Sequence, residues 1–356
     1  MNKRNLLKRV VSLLFALSLV FSMLPTAVFP AAVEAASNGG LKDGLNIELN
    51  GAAFEVSWAA VPGAASYQIQ RSGARLGTTY TTLATVGAAV LSYTDATPNA
   101  NKYENYYKIV AMSGENGTGT VVNTEIISLE GKIFGSNVLI YDSKYQTAAS
   151  AVEEMNYIHD NYMFSSTTGQ FSERRYAMFF KPGNYIYNTF TKVGYYTSVY
   201  GLGKLPTEVQ LGGIKCPAPL SADNNTCTFW RSIENVQVHP HTGSASGNLN
   251  GFQWNVAQAA PARRIDSIGE AFFGNNWDGW SSPGYWADSV FHKSFGYWSA
   301  QQFYTRNNEF KSATMNKTTM NTFLQGCTGI VPANDWNANA TITNVPMEII
   351  REKPFV

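Results

Sequence analysis

The sequence predicts an all-β protein in two parts, a small β-sandwich followed by a right-handed parallel β-helix whose first coil is capped by a helix. Short strands of alternating polarity recur from Leu45 to Leu129. Beyond Asn137, short apolar runs instead end at glycine or asparagine corners, with centres roughly 14–25 residues apart. One segment, Thr147–Tyr162, has the period of an amphipathic helix.

Residues 1–36 have the three parts of a secretory signal peptide. Four cations lie between Lys3 and Arg9, an apolar stretch runs from Val10 to Leu24, and the small residues of Ala31–Ala36 offer a cleavage site. No later segment reaches the ~20 continuous apolar residues that a membrane span needs. We therefore expect a secreted, extracellular protein with no membrane span; a retained N-terminal anchor is the alternative.

Composition restricts the partners of the mature chain. The sequence has 26 Lys and Arg and 25 Asp and Glu; loss of residues 1–36 removes four cations and Glu34, which leaves a net charge of −2. That balance argues against nucleic acid or an anionic membrane surface as a partner. Because charged residues are few (14%) and aromatic ones many (13%), we expect aromatic and amide side chains to bind a polysaccharide. We also expect the protein to be a monomer.

The first domain, residues 40–130, has the pattern of a small sandwich. "FEVSWAAVPGAASYQIQRS" contains a strand with Trp58, a Pro62-Gly63 turn and a second strand with Tyr67. Together with the "Y-x-I-x-A" pattern that begins at Tyr107, this region resembles a fibronectin type III domain. The resemblance implies a spacer or accessory module, so we assign it no chemistry.

The second domain, residues 137–356, begins with the predicted helix Thr147–Tyr162. Its apolar stripe is Ala148, Val152, Met155, Ile158 and Tyr162, and Thr147 is a candidate N-cap. The helix must bury that stripe, and the exposed end of a sheet structure is the candidate partner.

Strand runs and corners then follow without a second predicted helix, which indicates a solenoid. A large antiparallel sandwich or jelly roll is the competing fold, but it needs hairpin turns that the sequence rarely places between strands. The runs are Ala177–Phe180, Tyr195–Tyr200, Glu208–Ile214, Phe229–Pro240, Gly251–Ile268, Gly284–Phe295, Ala300–Phe310 and Met320–Ile330.

The segments "RYAMFFKPGNYIYN", "TFWRSIENVQV", "WNVAQAAPARRI", "GYWADSVF" and "AQQFYTRNNEF" resemble secreted bacterial proteins of the pectin-lyase-like, glycoside hydrolase family 55 type. That resemblance implies two β-helices side by side, β-1,3-glucanase activity and a catalytic acid on the second helix. Some of the similar proteins are labelled adenylyl cyclases, but this chain has no GxxxxGK[ST] phosphate cradle. We expect the β-helix to be incomplete at Val356 and carry over no catalytic residue.

Glycoside hydrolysis uses two carboxylates, and a solenoid brings together positions one coil apart. Asp266 and Asp288 are 22 residues apart, and Asp278 lies between them in an aromatic-rich segment. These three aspartates are the weak candidates for catalysis. The alternative is that each aspartate caps backbone N–H groups at a corner.

Aromatic rings that can stack on sugars lie in the same segment. The candidate carbohydrate-binding residues are Trp277, Trp280, Tyr285 and Trp286, together with Arg306, which could hold an acidic sugar. The alternatives are that the aromatic residues form a stacked core and that Arg306, like the Arg263-Arg264 pair, binds corner carboxylates.

Neither a metal nor a cofactor is expected. His239 and His241 lack a third ligand at suitable spacing, and Cys216, Cys227 and Cys327 do not have the spacing of a zinc site. Cys216 and Cys227 could instead form a disulfide in an oxidising compartment. Two functions therefore remain, a glycoside hydrolase and a non-catalytic carbohydrate-binding or surface-attachment protein.

Overall fold

The computed structural model describes residues 44–73, 79–100, 102–129, 134–135, 137–165, 169–217, 225–242, 251–273, 281–296, 302–311, 315–316, 321–336, 341–349 and 351–355. The predicted signal peptide lies outside these residues. In the described part of the chain, no helix is both long and apolar enough to cross a bilayer.

Two antiparallel sheets around one core form the first region. Within the core, Trp58 packs edge-on against Tyr67 with ring centroids 5.5 Å apart, and the Tyr107 hydroxyl donates to Asp95 at 2.7 Å. The assignment to the fibronectin type III family stays a prediction. The strands are β1 (Asn46–Asn50), β2 (Ala53–Ser57), β3 (Ser66–Ser72), β4 (Thr81–Gly87), β5 (Ser92–Asp95), β6 (Tyr106–Met112) and β7 (Val121–Ile127), paired in the orders β1-β2-β5 and β4-β3-β6-β7.

The helix α1 (Ala148–Ile158) begins where the sequence predicts. The Thr147 hydroxyl accepts a hydrogen bond from the Ser150 N–H at 3.1 Å, so Thr147 is the N-cap. A single π-helical turn, His159–Met163, extends the helix close to the predicted end. The buried stripe contains Val152, Met155 and Ile158 as predicted, and Ala151 takes the place expected for the half-buried Ala148.

The second region consists of short strands. In chain order they are β8 (Val138–Tyr141), β9 (Tyr176–Phe180), β10 (Gly183–Tyr185), β11 (Thr191–Lys192), β12 (Thr197–Gly201), β13 (Val209–Gly212), β14 (Ile214–Lys215), β15 (Ser232–His239), β16 (Phe252–Gln253), β17 (Pro261–Ser267), β18 (Ala271–Phe272), β19 (Gly284–Ala287), β20 (Val290–Phe291), β21 (Phe295–Gly296), β22 (Phe303–Arg306), β23 (Glu309–Phe310), β24 (Met315–Asn316), β25 (Asn321–Gln325), β26 (Thr328–Gly329), β27 (Asp335–Trp336) and β28 (Thr341–Val345).

Three sheets stack these strands coil upon coil. Sheet 1 contains β8, β9, β12, the first half of β15 and of β17, β19, β22, β25 and β28, with β27 at its end. Sheet 2 contains β10, β13, the second half of β15 and of β17, β20, β23 and β26, and sheet 3 contains β11, β14, β16, β18, β21 and β24. Every pairing described here is parallel except β27–β28. This is the predicted parallel β-helix, and the antiparallel alternative is wrong.

Sheets 1 and 2 meet at a corner that repeats from coil to coil. β15 and β17 bend at Asn235 and Arg264, whose φ values are +60° and +54°. Asp288 and Asn307 hold the same left-handed conformation on the next coils, with φ of +56° and +50°. The predicted strand runs were therefore in the right places, but most of them contain a corner and two or three short strands.

The core fills the inside of the coils with large side chains. Met178, Val199, Ile233, Ala262 and Trp286 follow one another across sheet 1 and are all buried. Because side chains alternate along each strand, the residues on either side of these five point outward from sheet 1. The outer face of sheet 1 is therefore a surface on which polar and aromatic side chains lie outside the core.

Candidate functional site

Two rows of side chains lie on the outer face of sheet 1. One row runs from Ala177 through Ser198 to Ser232 and continues from Pro261 through Tyr285 and Tyr304 to Phe323. The second row is Phe179, Tyr200, Glu234, Arg263, Ala287, Arg306 and Gln325. The first row is thus small at its β9 end and aromatic at its β25 end, and the second row is aromatic at its β9 end and charged in its middle.

Aromatic side chains line a cavity of about 520 Å³ at the end of this face near β8. Trp230, which is 38% exposed, stacks on Tyr196 with ring centroids 5.1 Å apart and an interplanar angle of 12°. The guanidinium group of Arg175 lies 3.5 Å from the centre of the Tyr196 ring. These three planar groups form a cluster that we call the aromatic platform.

A second cavity of about 660 Å³ adjoins the first, since Tyr200, Ser232 and Pro261 line both. Its wall combines the ring of Tyr285 with charged side chains from sheet 1. Burial raises the pKa of the Tyr285 hydroxyl, so this group stays protonated and can act as a hydrogen-bond donor at neutral pH.

The charged side chains in this second cavity form a connected network. Arg263, whose side chain is 6% exposed, binds Glu234 at 2.6 Å and Asp288 at 3.4 Å. Asp288, whose side chain is 1% exposed, also accepts hydrogen bonds from Arg306 at 3.3 Å and from the Asn307 amide at 2.8 Å. The two buried carboxylates are therefore neutralised by cations within the fold.

The segment 351–355 lies along one side of the same cavity. Lys353 binds Glu234 at 3.1 Å, and the carbonyl of Arg351 accepts a hydrogen bond from Arg306 at 2.8 Å. Beside the cavity, Arg264 pairs with Glu352 at 2.9 Å. This segment closes one side of the cavity and contributes the Arg351 and Lys353 side chains to its wall.

A separate chain of polar side chains lies on sheet 2. Asp266 accepts a hydrogen bond from the Gln237 amide at 2.7 Å, and it lies 2.7 Å from Nε2 of His292. His239 contacts the other end of the Gln237 amide at 2.7 Å. Burial lowers the pKa of His239, which favours its neutral form.

The structure separates the residues that the sequence grouped as candidates. Asp278, Trp277 and Trp280 lie outside the described residues. Asp266 is on sheet 2, whereas Asp288 lies at the corner beside the second cavity, so they do not form a pair across one groove.

The remaining candidates have different exposures. Tyr285 and Arg306 both line the second cavity. Trp286 is 1% exposed, and its ring contacts those of Phe252 at 5.1 Å and Phe291 at 4.9 Å. It is a core side chain because the strand alternation that turns Tyr285 outward turns Trp286 inward.

Sequence reasoning missed Glu234, Tyr196 and Trp230 as residues of the candidate site. For Glu234, the repeated corner could have revealed the position. The pairs "EN" at 234–235 and "RR" at 263–264 are 29 residues apart and lie in register on neighbouring coils. An alignment of the strand runs at these corners would have placed Glu234 beside Arg263 on the outer face.

The three cysteines are unpaired, and Cys216 lies in the core. Burial raises the pKa of the Cys216 thiol to about 12, so the thiol is neutral. Among the described residues, His, Cys, Asp and Glu side chains do not gather in a group of three that could hold a metal ion.

No protein-family model matches the chain. It is 32% identical over 227 residues to an exo-beta-1,3-glucanase from Streptomyces sp. (strain SirexAA-E / ActE). This match covers 64% of the chain but 34% of that relative, so the chain spans about a third of the relative's length.

The structure of sacteLam55A from Streptomyces sp. SirexAA-E has a TM-score of 0.49 to this chain at 32% identity, over 62% of this chain and 37% of that one. The structure of a variant of sacteLam55A in complex with glucose matches at 30% identity, with the same TM-score and coverage. The fold itself rests on the strand pairing described above.

Proposed function

We propose that this chain is a secreted, carbohydrate-active protein of the glycoside hydrolase type that acts on a β-glucan. The main support is the homology to an exo-beta-1,3-glucanase, which covers 64% of the chain. The outer face of sheet 1 has a suitable shape for a polysaccharide, because its two adjoining cavities extend over the strands from β8 to β22. At ~4.8 Å per strand that distance is about 30 Å.

The aromatic side chains provide the chemistry of recognition. Sugar rings have apolar faces that pack on flat aromatic rings, and Trp230, supported by the Tyr196 ring that it stacks on, offers such a ring at one end of the groove. Tyr285 and Tyr304 offer two more towards the other end, with ring centroids 5.4 Å apart. We propose the aromatic platform as the principal contact with a neutral glucan.

The second candidate function is carbohydrate binding without catalysis. One observation favours it: Glu234, Asp266 and Asp288, three carboxylates of sheets 1 and 2 or of the corner between them, all bind cationic or polar side chains within the fold. Hydrolysis needs a carboxylic acid that can donate its proton to the leaving oxygen and a second carboxylate that assists it.

Both functions are tested by incubating the full chain with laminarin, a soluble β-1,3-glucan. We expect binding in a titration, and we expect Trp230→Ala to weaken it about tenfold, or about 1.4 kcal/mol, because a central aromatic contact is removed. Trp336→Ala is the matched control: Trp336 is 73% exposed on β27, away from the groove, and its loss should leave the affinity unchanged.

The release of new reducing ends separates the two functions. Binding together with new reducing ends supports the hydrolase, whereas binding with none supports the attachment protein. If the chain neither binds nor cleaves laminarin, or if Trp336→Ala weakens binding as much as Trp230→Ala, the proposal of a glucan groove on sheet 1 is wrong.

A further inference from the structure

The second cavity has an excess of positive charge. Four cationic side chains line it, Arg263, Arg306, Arg351 and Lys353, whereas Glu234 and Asp288 are the two carboxylates in its wall. The wall therefore has a net charge of +2. Arg264 and Glu352, next to the cavity, form an ion pair at 2.9 Å, so their charges cancel.

Some hydrogen-bond donors in the cavity wall are not used by the existing ion pairs. Arg263 Nε is buried and has no hydrogen-bond partner in the described part of the chain. An unsatisfied buried donor of this kind is destabilising, and a ligand oxygen that reaches it would offset that cost. In the described contacts of Arg351, its backbone carbonyl accepts from Arg306, so the Arg351 guanidinium group is not needed for that bond.

The same wall contains aromatic surface. Tyr200 and Tyr285 both line the cavity, and the protonated Tyr285 hydroxyl adds a neutral donor. A cavity of about 660 Å³ lies within the range of small-molecule sites. Arginine side chains bind carboxylates, and tyrosine rings pack against the faces of sugars. A cavity that contains both therefore suits a ligand that has a carboxylate and a sugar ring.

We propose that this cavity binds an acidic sugar, a pyranose with a ring carboxylate such as a hexuronic acid unit. The carboxylate binds Arg306 and Arg351, and the ring lies against Tyr200 or Tyr285. The site adjoins the aromatic platform and shares Tyr285 with the proposed glucan groove, but its argument does not depend on the glucan proposal, because it rests on charge and not on Trp230.

Two ligands that differ in one group provide the test. Methyl β-D-glucuronide and methyl β-D-glucoside share the same ring, and the first has a carboxylate at C6. We expect the full chain to bind the glucuronide about tenfold more tightly in low salt, measured by titration with saturation-transfer NMR. The preference should shrink in 0.5 M salt, because salt screens the charges of a partly open site.

Arg351→Gln removes one of the two proposed contacts without removing the carbonyl that Arg306 binds. We expect it to lower the affinity for the glucuronide at least threefold and to leave the glucoside unaffected. Arg174→Gln is the control: Arg174 is exposed and packs over Tyr162, at 4.8 Å from the ring, outside the cavity. Arg306→Gln is a second variant, interpreted only if its thermal unfolding matches that of the unaltered chain.

Equal affinity for the two glycosides would overturn the proposal, as would a preference that is undiminished in Arg351→Gln. Sodium sulfate tests whether the site recognises a sugar or any anion. If sulfate binds while the ring protons of the glucuronide receive no saturation, the cavity is a simple anion site and the acidic-sugar assignment is wrong. Loss of glucuronide binding in Arg351→Gln with intact laminarin binding would show that the two sites are separate.

Discussion

At the scale of single residues, Asp288 shows how a position in the fold decides between two interpretations of one side chain. Its φ of +56° places it at the repeating corner, and its carboxylate lies between Arg263 and Arg306. Asparagine and aspartate adopt this conformation more readily than most residues, which explains Asn235 and Asn307 on other coils. Asp288 therefore lies at a corner, but in the described part of the chain its carboxylate binds the side chains of Arg263, Arg306 and Asn307 and not the backbone N–H groups that the corner alternative predicted.

We predict that Asp288→Asn lowers the free energy of unfolding of the β-helix by about 3 kcal/mol. The substitution keeps the left-handed backbone acceptable and removes the charge, so the buried guanidinium group of Arg263 and the partly exposed one of Arg306 lose a shared counter-ion. Urea unfolding measures the loss. Glu309→Gln, at an exposed position on β23, is the control and should change stability by less than about 0.5 kcal/mol.

The same variant distinguishes structure from chemistry. If Asp288→Asn unfolds like the unaltered chain but abolishes the release of reducing ends from laminarin, Asp288 takes part in the reaction. If it loses stability while the folded fraction keeps its activity, the ion pairs are its role.

At the scale of elements, the helix α1 covers the first coil and contains a pH-sensitive contact. His159 follows the last residue of α1, is 2% exposed, and its Nδ1 lies 2.7 Å from Asp160. Burial lowers the pKa of His159 to about 4, and the positive charge of Arg231 acts in the same direction. The imidazole therefore stays neutral in the folded protein at pH values where an unfolded chain would protonate it.

We predict that His159 destabilises the β-helix as the pH falls from 6.5 to 4. In this window the unfolded state, with a pKa of about 6.5, binds a proton that the folded state does not, so the stability lost reaches about 3 kcal/mol. Above pH 6.5 neither state is protonated and the effect vanishes. His159→Phe replaces the imidazole by a ring that does not titrate. In this variant the free energy of unfolding, measured by urea unfolding at a series of pH values, should fall about 3 kcal/mol less between pH 6.5 and 4 than in the unaltered chain.

Thr147→Ala is the control for the same helix. It removes the hydrogen bond of the N-cap and should cost about 1 kcal/mol at every pH, with the slope unchanged. An equal dependence on pH in His159→Phe and the unaltered chain would mean that acid acts through other groups.

At the scale of the whole molecule, the described part of the chain has two hydrophobic cores with no residue in common. Trp58 belongs to the first core and Trp286 to the second. Because cooperative unfolding follows a shared core, we predict two transitions in calorimetry. Trp58→Ala should lower the midpoint temperature of one transition, and Trp286→Ala should lower that of the other. Each substitution should reduce the free energy of unfolding of its own region by roughly 3–5 kcal/mol.

A single transition that both variants shift equally would contradict this prediction. A conservative pair, Trp58→Phe and Trp286→Phe, keeps most of each core filled and should move the same two midpoints by less. Near-ultraviolet circular dichroism follows the loss of aromatic packing in each step.

The sequence by itself determined the β class, the helix at 147–162 and the positions of the strand runs. These features follow from local patterns: apolar periodicity, an N-cap threonine and residues that tolerate corners. The parallel solenoid was also predictable, because corners recurred in place of hairpin turns. The secretory signal and the fibronectin type III assignment remain predictions of the sequence.

Only the tertiary structure decided which side chains meet. Tyr285 and Trp286 are neighbours in sequence, yet one faces a cavity and the other lies in the core, because a shift of one residue reverses the face of a strand. Glu234 meets Arg263 through a register of 29 residues that a corner sets. Contacts between coils depend on the number of residues in each turn of the solenoid, and local propensity does not specify that number.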